Sequence, residues 1–215
     1  MKKVVVARSL RWVGSLLLAG CGSVPPVGDP SNRLDGRAMR VDEVHWPEQY
    51  EPEKTSFFVT NVIDIEAPPE LVWEELMSPE AWPSWYEGAE NVKVLTPLPL
   101  RVGSEFRWET MGLEFVSKVH ELDAPYRLSW ESRKTTIKGY HAWVIVRTAP
   151  GSRVITEESQ VGFLTAMQKI FVPNKLRRLH DIWLAKLKER AEAAHRTKGN
   201  VRENAVVEEK GESSP

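Results

Sequence analysis

His141 and Glu158 are the residues whose types and spacing are best suited to chemistry. They lie in two alternating stretches on either side of a turn at Ala149–Gly151. In that hairpin we expect Glu158 opposite Trp143 or nearly so, with His141 two residues along on the same face. With Tyr140 nearby, a buried imidazole and carboxylate could serve as an acid/base pair. The alternative is solvent exposure or structural hydrogen bonding, because a register shift of one residue exchanges the two faces.

The remaining histidines do not form a metal-binding pattern. His45, His120, His180 and His195 are scattered with no close pair, and Cys21 is the single cysteine. Metal sites in sequences usually show ligands at short, fixed spacings. We therefore predict no metal and no cofactor. The chain also lacks a phosphate-binding loop and a Gly-x-Ser-x-Gly elbow.

Tryptophan is unusually frequent, with nine among 215 residues beside six phenylalanines and four tyrosines. Large aromatic side chains either fill a core or line a pocket for a bulky apolar ligand. We expect most of them to be core, and several to meet on the inner face of a sheet beside polar groups that orient a ligand. The predicted ligand-binding residues are Phe106, Trp108, Phe115, Trp130, His141, Trp143, Glu158 and Met167.

The charge balance excludes some partners. A formal net charge of -1 and a pI near 6.5 are not those of a nucleic-acid-binding protein. Lys175, Arg177 and Arg178 form a basic group on a predicted helix. Such a group is usually a solvated face, and the alternative is contact with anionic lipid headgroups. The oligomeric state cannot be inferred from composition.

The first 20 residues are typical of a secretory signal segment. A basic start precedes an apolar core from Trp12 to Ala19, which is too short to span about 30 Å of hydrocarbon. The following Leu18-Ala19-Gly20-Cys21 resembles the lipobox of bacterial lipoproteins. That resemblance implies cleavage before Cys21, lipidation of its thiol, and a place in the cell envelope, anchored to a membrane and facing the periplasm or exterior. The alternatives are an ordinary secretory signal with an incidental cysteine, or an uncleaved apolar segment.

Composition divides the rest of the chain into three parts. Residues 21–55 are rich in proline and glycine and are predicted to be a tether, although Trp46 and Tyr50 could pack on the domain edge. Residues 56–194 carry the apolar periodicity and form one domain. Residues 195–215 are polar and charged and are predicted to be a disordered tail.

Within the domain, the periodicity predicts an α+β protein. A strand at 57–66 ends at Ala67-Pro68-Pro69 and leads into a short helix. Six strand-like stretches with short turns follow, which implies an antiparallel meander. Leu176, Leu179, Trp183 and Leu187 then recur at spacings of three and four, which predicts a long amphipathic C-terminal helix after a shorter helical stretch at 163–171.

This order resembles the helix-grip fold of the SRPBCC superfamily, which includes START-like lipid-transfer domains and polyketide cyclase/dehydrase-like proteins. The resemblance covers about residues 57–192. Its most specific part is the stretch IDIEAPPELVW from Ile63 to Trp73, and weaker matches follow in the expected order: Trp82–Trp85, Gly103–Phe106, Leu128–Trp130, His141–Trp143 and Gly151–Glu158. It implies a curved antiparallel sheet wrapped around the long C-terminal helix, with an apolar cavity between them.

Such a fold does not by itself determine an activity. The favoured function is a membrane-tethered module that binds or carries a small hydrophobic or lipid-like ligand. One alternative is an enzyme, cyclase- or dehydrase-like, that acts on such a ligand through His141, Glu158 or Tyr140. Another is a structural envelope protein whose aromatic side chains fill the cavity.

Overall fold

A computed structural model describes residues 44–212, with side chains through Asn200. The predicted signal segment and Cys21 lie outside the described residues. The first large element is strand β1 (Phe57–Ile65). Helix α1 (Pro69–Leu76) begins shortly after it. Pro69 suits the first helical position, because proline lacks the backbone N–H that would have no partner there. A 3-10 helix at Pro79–Ser84 follows.

One antiparallel sheet of seven strands forms the body of the domain. The strands after β1 are β2 (Glu90–Val94), β3 (Glu105–Thr110), β4 (Leu113–Asp123), β5 (Arg127–Lys134), β6 (Ile137–Arg147) and β7 (Ser152–Val161). Their order in the sheet is β1-β7-β6-β5-β4-β3-β2. The long alternating strands bury one side chain in two against the helices, as Phe115, Ser117 and Val119 show on β4.

The β6–β7 register differs from the sequence expectation. Glu158 pairs with His141, and Trp143 pairs with Thr156, so Glu158 lies two residues from its expected partner. The cause is a tight turn in which the N–H of Thr148 donates to the carbonyl of Gly151 at 2.8 Å. A shift of two residues preserves the faces, so His141 and Glu158 both remain on the inner side of the sheet.

Two helices close the inner side of the sheet. Helix α2 (Phe163–Phe171) leads into α3 (Lys175–Glu212), which lies across β1 and α1. The curved antiparallel sheet and its long C-terminal helix confirm the expected α+β helix-grip architecture. Helix α3 continues to Glu212, beyond residue 194, where we predicted a disordered tail. The polar composition that argued for disorder contains many good helix formers, and no proline interrupts it before Pro215.

The core beneath the sheet is a cluster of aromatic rings centred on Trp183 of α3. Its ring stacks on Tyr86 with centroids 4.4 Å apart and meets Trp143 and Trp82 edge-on at 5.0 and 5.1 Å. Trp82 also contacts Phe106 and Trp130, each at 5.6 Å. These rings hold α3 against the sheet because each buries a large apolar area in a fixed geometry.

Residues 44–55 pack on the outer face of the sheet, within the segment predicted to be a tether. Tyr50 is buried and stacks on Tyr140 at 5.7 Å, and Trp46 lies 5.5 Å from the same ring. The hydroxyl of Tyr50 donates to Glu131 at 2.5 Å. The aromatic rings fix this segment even though its proline-rich composition favours an open chain. Among residues 44–212, no helix has the length and apolar character that a membrane span needs.

Candidate functional site

A cavity lies between the inner face of the sheet and helices α2 and α3. It offers about 40 Å³ to the centres of water molecules, enough for a few waters, since one needs at least about 10–15 Å³ by that measure. Its apolar wall comprises Trp108, Met111, Leu113, Phe115, Ile137, Leu176, Leu179 and Trp183. Its polar wall comprises Tyr86, Thr110, Ser132, His141, Glu158, Gln160, Gln168 and His180.

Glu158 is at the centre of the polar wall, between two histidines. Its Oε2 accepts a hydrogen bond from Nε2 of His180 at 3.1 Å and lies 3.4 Å from Nδ1 of His141. The two imidazole rings stack with centroids 4.7 Å apart. The other oxygen, Oε1, accepts from the Gln160 amide at 2.6 Å. Two strands and α3 thus bring one carboxylate and two imidazoles to a single point.

The charges at this point follow from burial and hydrogen bonding. Burial alone would raise the pKa of Glu158, but the hydrogen bond from His180, the adjacent imidazoles and the Gln160 amide outweigh it and lower that pKa. Burial lowers the pKa of His141 to about 3, although Glu158 opposes the shift. At neutral pH the site therefore holds a carboxylate beside an uncharged His141.

Three further features shape the polar wall. Nε2 of His141 shares a hydrogen bond of 2.6 Å with the Thr156 hydroxyl, which fixes the ring's orientation. Burial, and next the Glu158 charge, raise the pKa of Tyr86, so its phenol stays protonated. Gly139 has no side chain and so leaves space beside the carboxylate. A Cβ at this position would lie only 3.0 Å from Glu158 Oε1.

Several buried polar atoms of the lining have no hydrogen-bond partner within the described part of the chain. They are Nδ1 of His180, Oε1 of Gln160, Nε2 of Gln168 and Nε1 of Trp183. Leaving a buried donor or acceptor without a partner costs about 1–3 kcal/mol, so such groups usually meet water or a ligand. The cavity is where a water molecule or the polar group of a ligand could reach them.

The predicted ligand-binding residues divide into two groups. Trp108, Phe115, His141 and Glu158 line the cavity, and their role in binding remains a prediction. Phe106, Trp130 and Trp143 lie on the same inner face but are packed in the aromatic core, away from the cavity wall. Their neighbours are other rings, chiefly Trp82 and Trp183.

Two other predicted residues lie elsewhere. Met167 of α2 is half-buried and does not line the cavity, because the helix turns Thr165 and Gln168 toward the domain. Tyr140 points to the outer face of the sheet, where its hydroxyl meets Ser129 at 2.6 Å. It therefore lies on the opposite side of the sheet from His141 and Glu158.

Sequence reasoning missed His180, which we placed among scattered histidines. The available signal was its position on α3, four residues after Leu176 and three before Trp183, on the buried stripe of the helix. The side chain is 2% exposed. His141 and His180 are distant in the sequence but stack in the fold, so the absence of a close pair in the sequence did not exclude two adjacent imidazoles.

Solved structures with the same architecture come from several bacteria. A hypothetical protein from Helicobacter pylori is 25% identical, with a TM-score of 0.64 over 69% of this chain and 95% of its own. A START superfamily protein from Mycobacterium smegmatis is 16% identical, with a TM-score of 0.52 over 64% of this chain and 98% of its own.

The di-domain ARO/CYC protein BexL from the BE-7585A biosynthetic pathway is 18% identical, with a TM-score of 0.53. The match covers 63% of this chain but only 50% of BexL, and at these identities the last two likenesses concern the fold alone. No curated protein matches the sequence. The family model described as polyketide cyclase/dehydrase and lipid transport matches residues 56–192. This range is most of the chain and includes the whole sheet and the buried part of α3. The protein belongs to that family.

Proposed function

We propose that this protein is a membrane-tethered lipoprotein whose cavity binds a small hydrophobic or lipid-like ligand. The observation that carries the proposal is the cavity itself, with an apolar wall on one side and unpartnered polar groups on the other. Small-molecule sites usually combine such a wall with a few polar groups that orient the ligand. The family's link to lipid transport supports the same ligand class.

The ligand must enlarge the cavity. Sites for drug-sized ligands measure about 300–1,000 Å³, far more than this cavity offers in its closed form. Helix α2 is the element best placed to move, because Phe163 and Phe171 are each 70% exposed and contribute little to the core. Met111 and Leu113, at the β3–β4 turn, are partly exposed lining residues at the same end. We infer that the ligand enters between α2 and this turn.

The polar wall favours an amphipathic ligand over a pure hydrocarbon. Gln160 and Gln168 offer an unpartnered acceptor and donor, and the carboxylate of Glu158 can accept a further hydrogen bond. A headgroup that carries both hydroxyl or amide donors and oxygen acceptors would satisfy them. The apolar tail would then lie along Phe115, Leu176 and Leu179 toward α2.

An enzyme is the second candidate, favoured by one observation. Nδ1 of His141 lies 3.4 Å from the carboxylate of Glu158, which would stabilise the charge that the imidazole gains on removing a proton from a bound substrate. Such a reaction would use the same cavity and the same apolar substrate class. The two functions differ only in whether the ligand leaves unchanged.

Native mass spectrometry of the full chain, incubated with a bacterial total lipid extract, tests both candidates. The blocking variant is Gly139→Leu, which fills the space beside Glu158. Its matched control is Lys138→Leu, which adds the same side chain at the neighbouring, exposed position on β6. We expect wild type and Lys138→Leu to retain a lipid, and Gly139→Leu to retain none.

The composition of the extract after incubation separates carrier from enzyme. An unchanged lipid bound to the protein supports the carrier. If wild type consumes a lipid and Glu158→Gln does not, the protein is an enzyme rather than a carrier. Equal lipid retention by Gly139→Leu and Lys138→Leu would show that lipids bind outside the cavity and would contradict the proposal.

A further inference from the structure

The cluster of His141, Glu158 and His180 has the composition of a transition-metal site. Two imidazoles and one carboxylate are the ligand set of many zinc sites and of non-haem iron sites. One candidate ligand atom from each residue lies within 4.8 Å of the other two. Both histidines are almost completely buried, and the Glu158 side chain is 14% exposed.

Two of the three separations between candidate ligand atoms match those that a bound ion would impose. In a tetrahedral site with bonds of about 2.0–2.1 Å, neighbouring ligand atoms lie about 3.3 Å apart. Oε2 of Glu158 lies 3.1 Å from Nε2 of His180 and 3.4 Å from Nδ1 of His141. The two nitrogens lie within 4.8 Å of each other. Because the imidazole rings stack with 19° between their planes, one ring would have to rotate out of the stack to direct its nitrogen at the ion.

The surroundings hold two of the ligands in place, as in established metal sites. Thr156 bonds the ring nitrogen of His141 that faces away from the cluster, at 2.6 Å. Gln160 bonds the carboxylate oxygen that faces away from His180, at 2.6 Å. His141 and Glu158 therefore each direct one ligand atom at the cluster while their other polar atom is engaged, whereas Nδ1 of His180 has no partner among the described residues.

The cavity supplies the fourth coordination position. All three residues line it, and its water-sized space can hold a solvent ligand. Three protein ligands with one open position are the arrangement of a reactive zinc site rather than a closed structural one. The ion's charge would also exceed that of the single carboxylate by one, so an anionic fourth ligand would balance it.

We propose that His141, Glu158 and His180 bind a divalent transition-metal ion, zinc or ferrous iron by chemistry, with one coordination position open to the cavity. The site does not depend on lipid binding, because its ligands come from β6, β7 and α3 alone. The cluster without an ion is a hydrogen-bonded carboxylate between two imidazoles. Whether the protein takes up a metal ion at this cluster distinguishes the two possibilities.

The test is titration of the full chain, purified in detergent and stripped with a chelator, with Zn²⁺ and with Co²⁺. We expect one equivalent of Zn²⁺ to bind and to raise the melting temperature by mass action. Co²⁺ should give the intense visible absorption of a four-coordinate ion. Glu158→Gln keeps the shape of the side chain and should abolish both signals.

Two further variants make the result specific. Thr156→Val removes only the hydrogen bond that orients His141 and should weaken Zn²⁺ binding by about 10–100-fold. His120→Ala removes a half-exposed histidine 3.5 Å from Glu131 on the outer face and should change nothing. Binding that is lost in His120→Ala and kept in Glu158→Gln would place the metal elsewhere and overturn the proposal.

X-ray absorption spectroscopy of the wild-type zinc complex decides the matter if Glu158→Gln does not fold. We expect scattering from two imidazole rings and no sulfur. A shell of oxygen ligands without imidazole, or failure of the stripped wild type to bind Zn²⁺ at one equivalent, would contradict the site. Neither outcome bears on lipid retention, so the proposed function stands or falls separately.

Discussion

Two buried carboxylates, Glu158 and Glu131, lie on opposite faces of the same sheet. Each would be expensive to ionise without hydrogen-bond donors. Glu158 receives them from His180 and Gln160, inside the cavity. Glu131 receives one from Tyr50 and pairs with Arg133, beneath the segment that covers the outer face. The inner carboxylate faces space that a ligand can occupy, whereas the outer one is covered by the chain itself.

Glu131 makes stability depend on acidity. Burial alone would raise its pKa, but Arg133 and Tyr50 outweigh that effect and lower it. Its stabilisation is therefore complete above the unfolded pKa of about 4.3 and is lost as the pH falls through the lower, folded value. We expect Glu131→Gln to reduce the free energy of unfolding by about 1.5–3 kcal/mol at pH 7. The deficit should shrink below about pH 4.3.

Urea titrations at a series of pH values check this dependence. Glu114→Gln is the control, because that carboxylate is 55% exposed on β4. A deficit for Glu131→Gln that stays constant from pH 7 to acid would show that its charge does not contribute.

Trp183 is the residue on which the packing of the domain most depends. It is 1% exposed and touches rings from the sheet, the 3-10 helix and its following loop. Trp183→Ala should cost about 3–5 kcal/mol, the usual effect of removing a large buried aromatic side chain. Trp85→Ala, at a half-buried ring beneath Arg190, should cost clearly less. Chemical unfolding measures both, and a loss below about 1 kcal/mol at Trp183 would mean that the sheet does not grip α3.

At the scale of elements, the periodicity of the sequence predicted most of the fold. Alternation in Leu113–Val119 and His141–Ile145 located two central strands, and the spacing of Leu176, Trp183 and Leu187 located α3. These patterns suffice because burial on one face imposes them locally. The predicted end of α3 came too early in the chain, because polar composition does not distinguish a solvated helix from disorder.

The site was less predictable than the elements that form it. Whether an inward-facing aromatic lines a cavity or fills the core depends on residues far along the chain. Trp143 is packed by Trp183, forty residues later, while Trp108 reaches the cavity. His180 joins His141 only because α3 crosses the sheet at that point. The register of the β6–β7 hairpin depends on the residues of its own turn, whereas the position of α3 across the sheet depends on contacts with distant parts of the chain.

Substitutions at the exposed residues of α2 should change the rate of ligand uptake but not the free energy of unfolding. Phe163 and Phe171 bury little surface, so the double change Phe163→Ser and Phe171→Ser should alter the free energy of unfolding by less than about 0.5 kcal/mol. Because the ligand passes this helix, uptake of lipid from vesicles should slow. Stopped-flow fluorescence measures the rate.

Leu164→Ser provides the contrast on the same helix, because Leu164 packs on the core. It should lower stability. An uptake rate unchanged by the double substitution would place the opening of the cavity elsewhere.

At the scale of the whole molecule, we propose that the N-terminal chain joins the binding domain to a membrane. The residues from Cys21 to the start of the described structure could reach about 80 Å if fully extended. If Cys21 carries a lipid as proposed, that reach would let the domain contact the membrane or extend well away from it, as a carrier needs if it stays attached while its ligand moves.

The anchor has its own test. Cys21→Ser should leave the protein unprocessed or soluble, because it removes the thiol that carries the lipid. Detergent phase partitioning and intact-protein mass spectrometry measure both properties. Retention in the detergent phase at the mature mass of the wild type would rule out the lipobox. A control change at Ser23, beyond the motif, should leave anchoring intact.

The central claim is that a lipid-like ligand occupies the space between the sheet and α3. Its most direct test is fluorescence quenching by a brominated monoacylglycerol, whose headgroup carries hydroxyl donors and oxygen acceptors. Bromine quenches tryptophan only near contact, and both Trp108 and Trp183 line the cavity. We predict quenching that saturates at one lipid per chain in wild type and Lys138→Leu, and that is absent in Gly139→Leu. Quenching that rises without saturation, or that is equal in all three proteins, would contradict it.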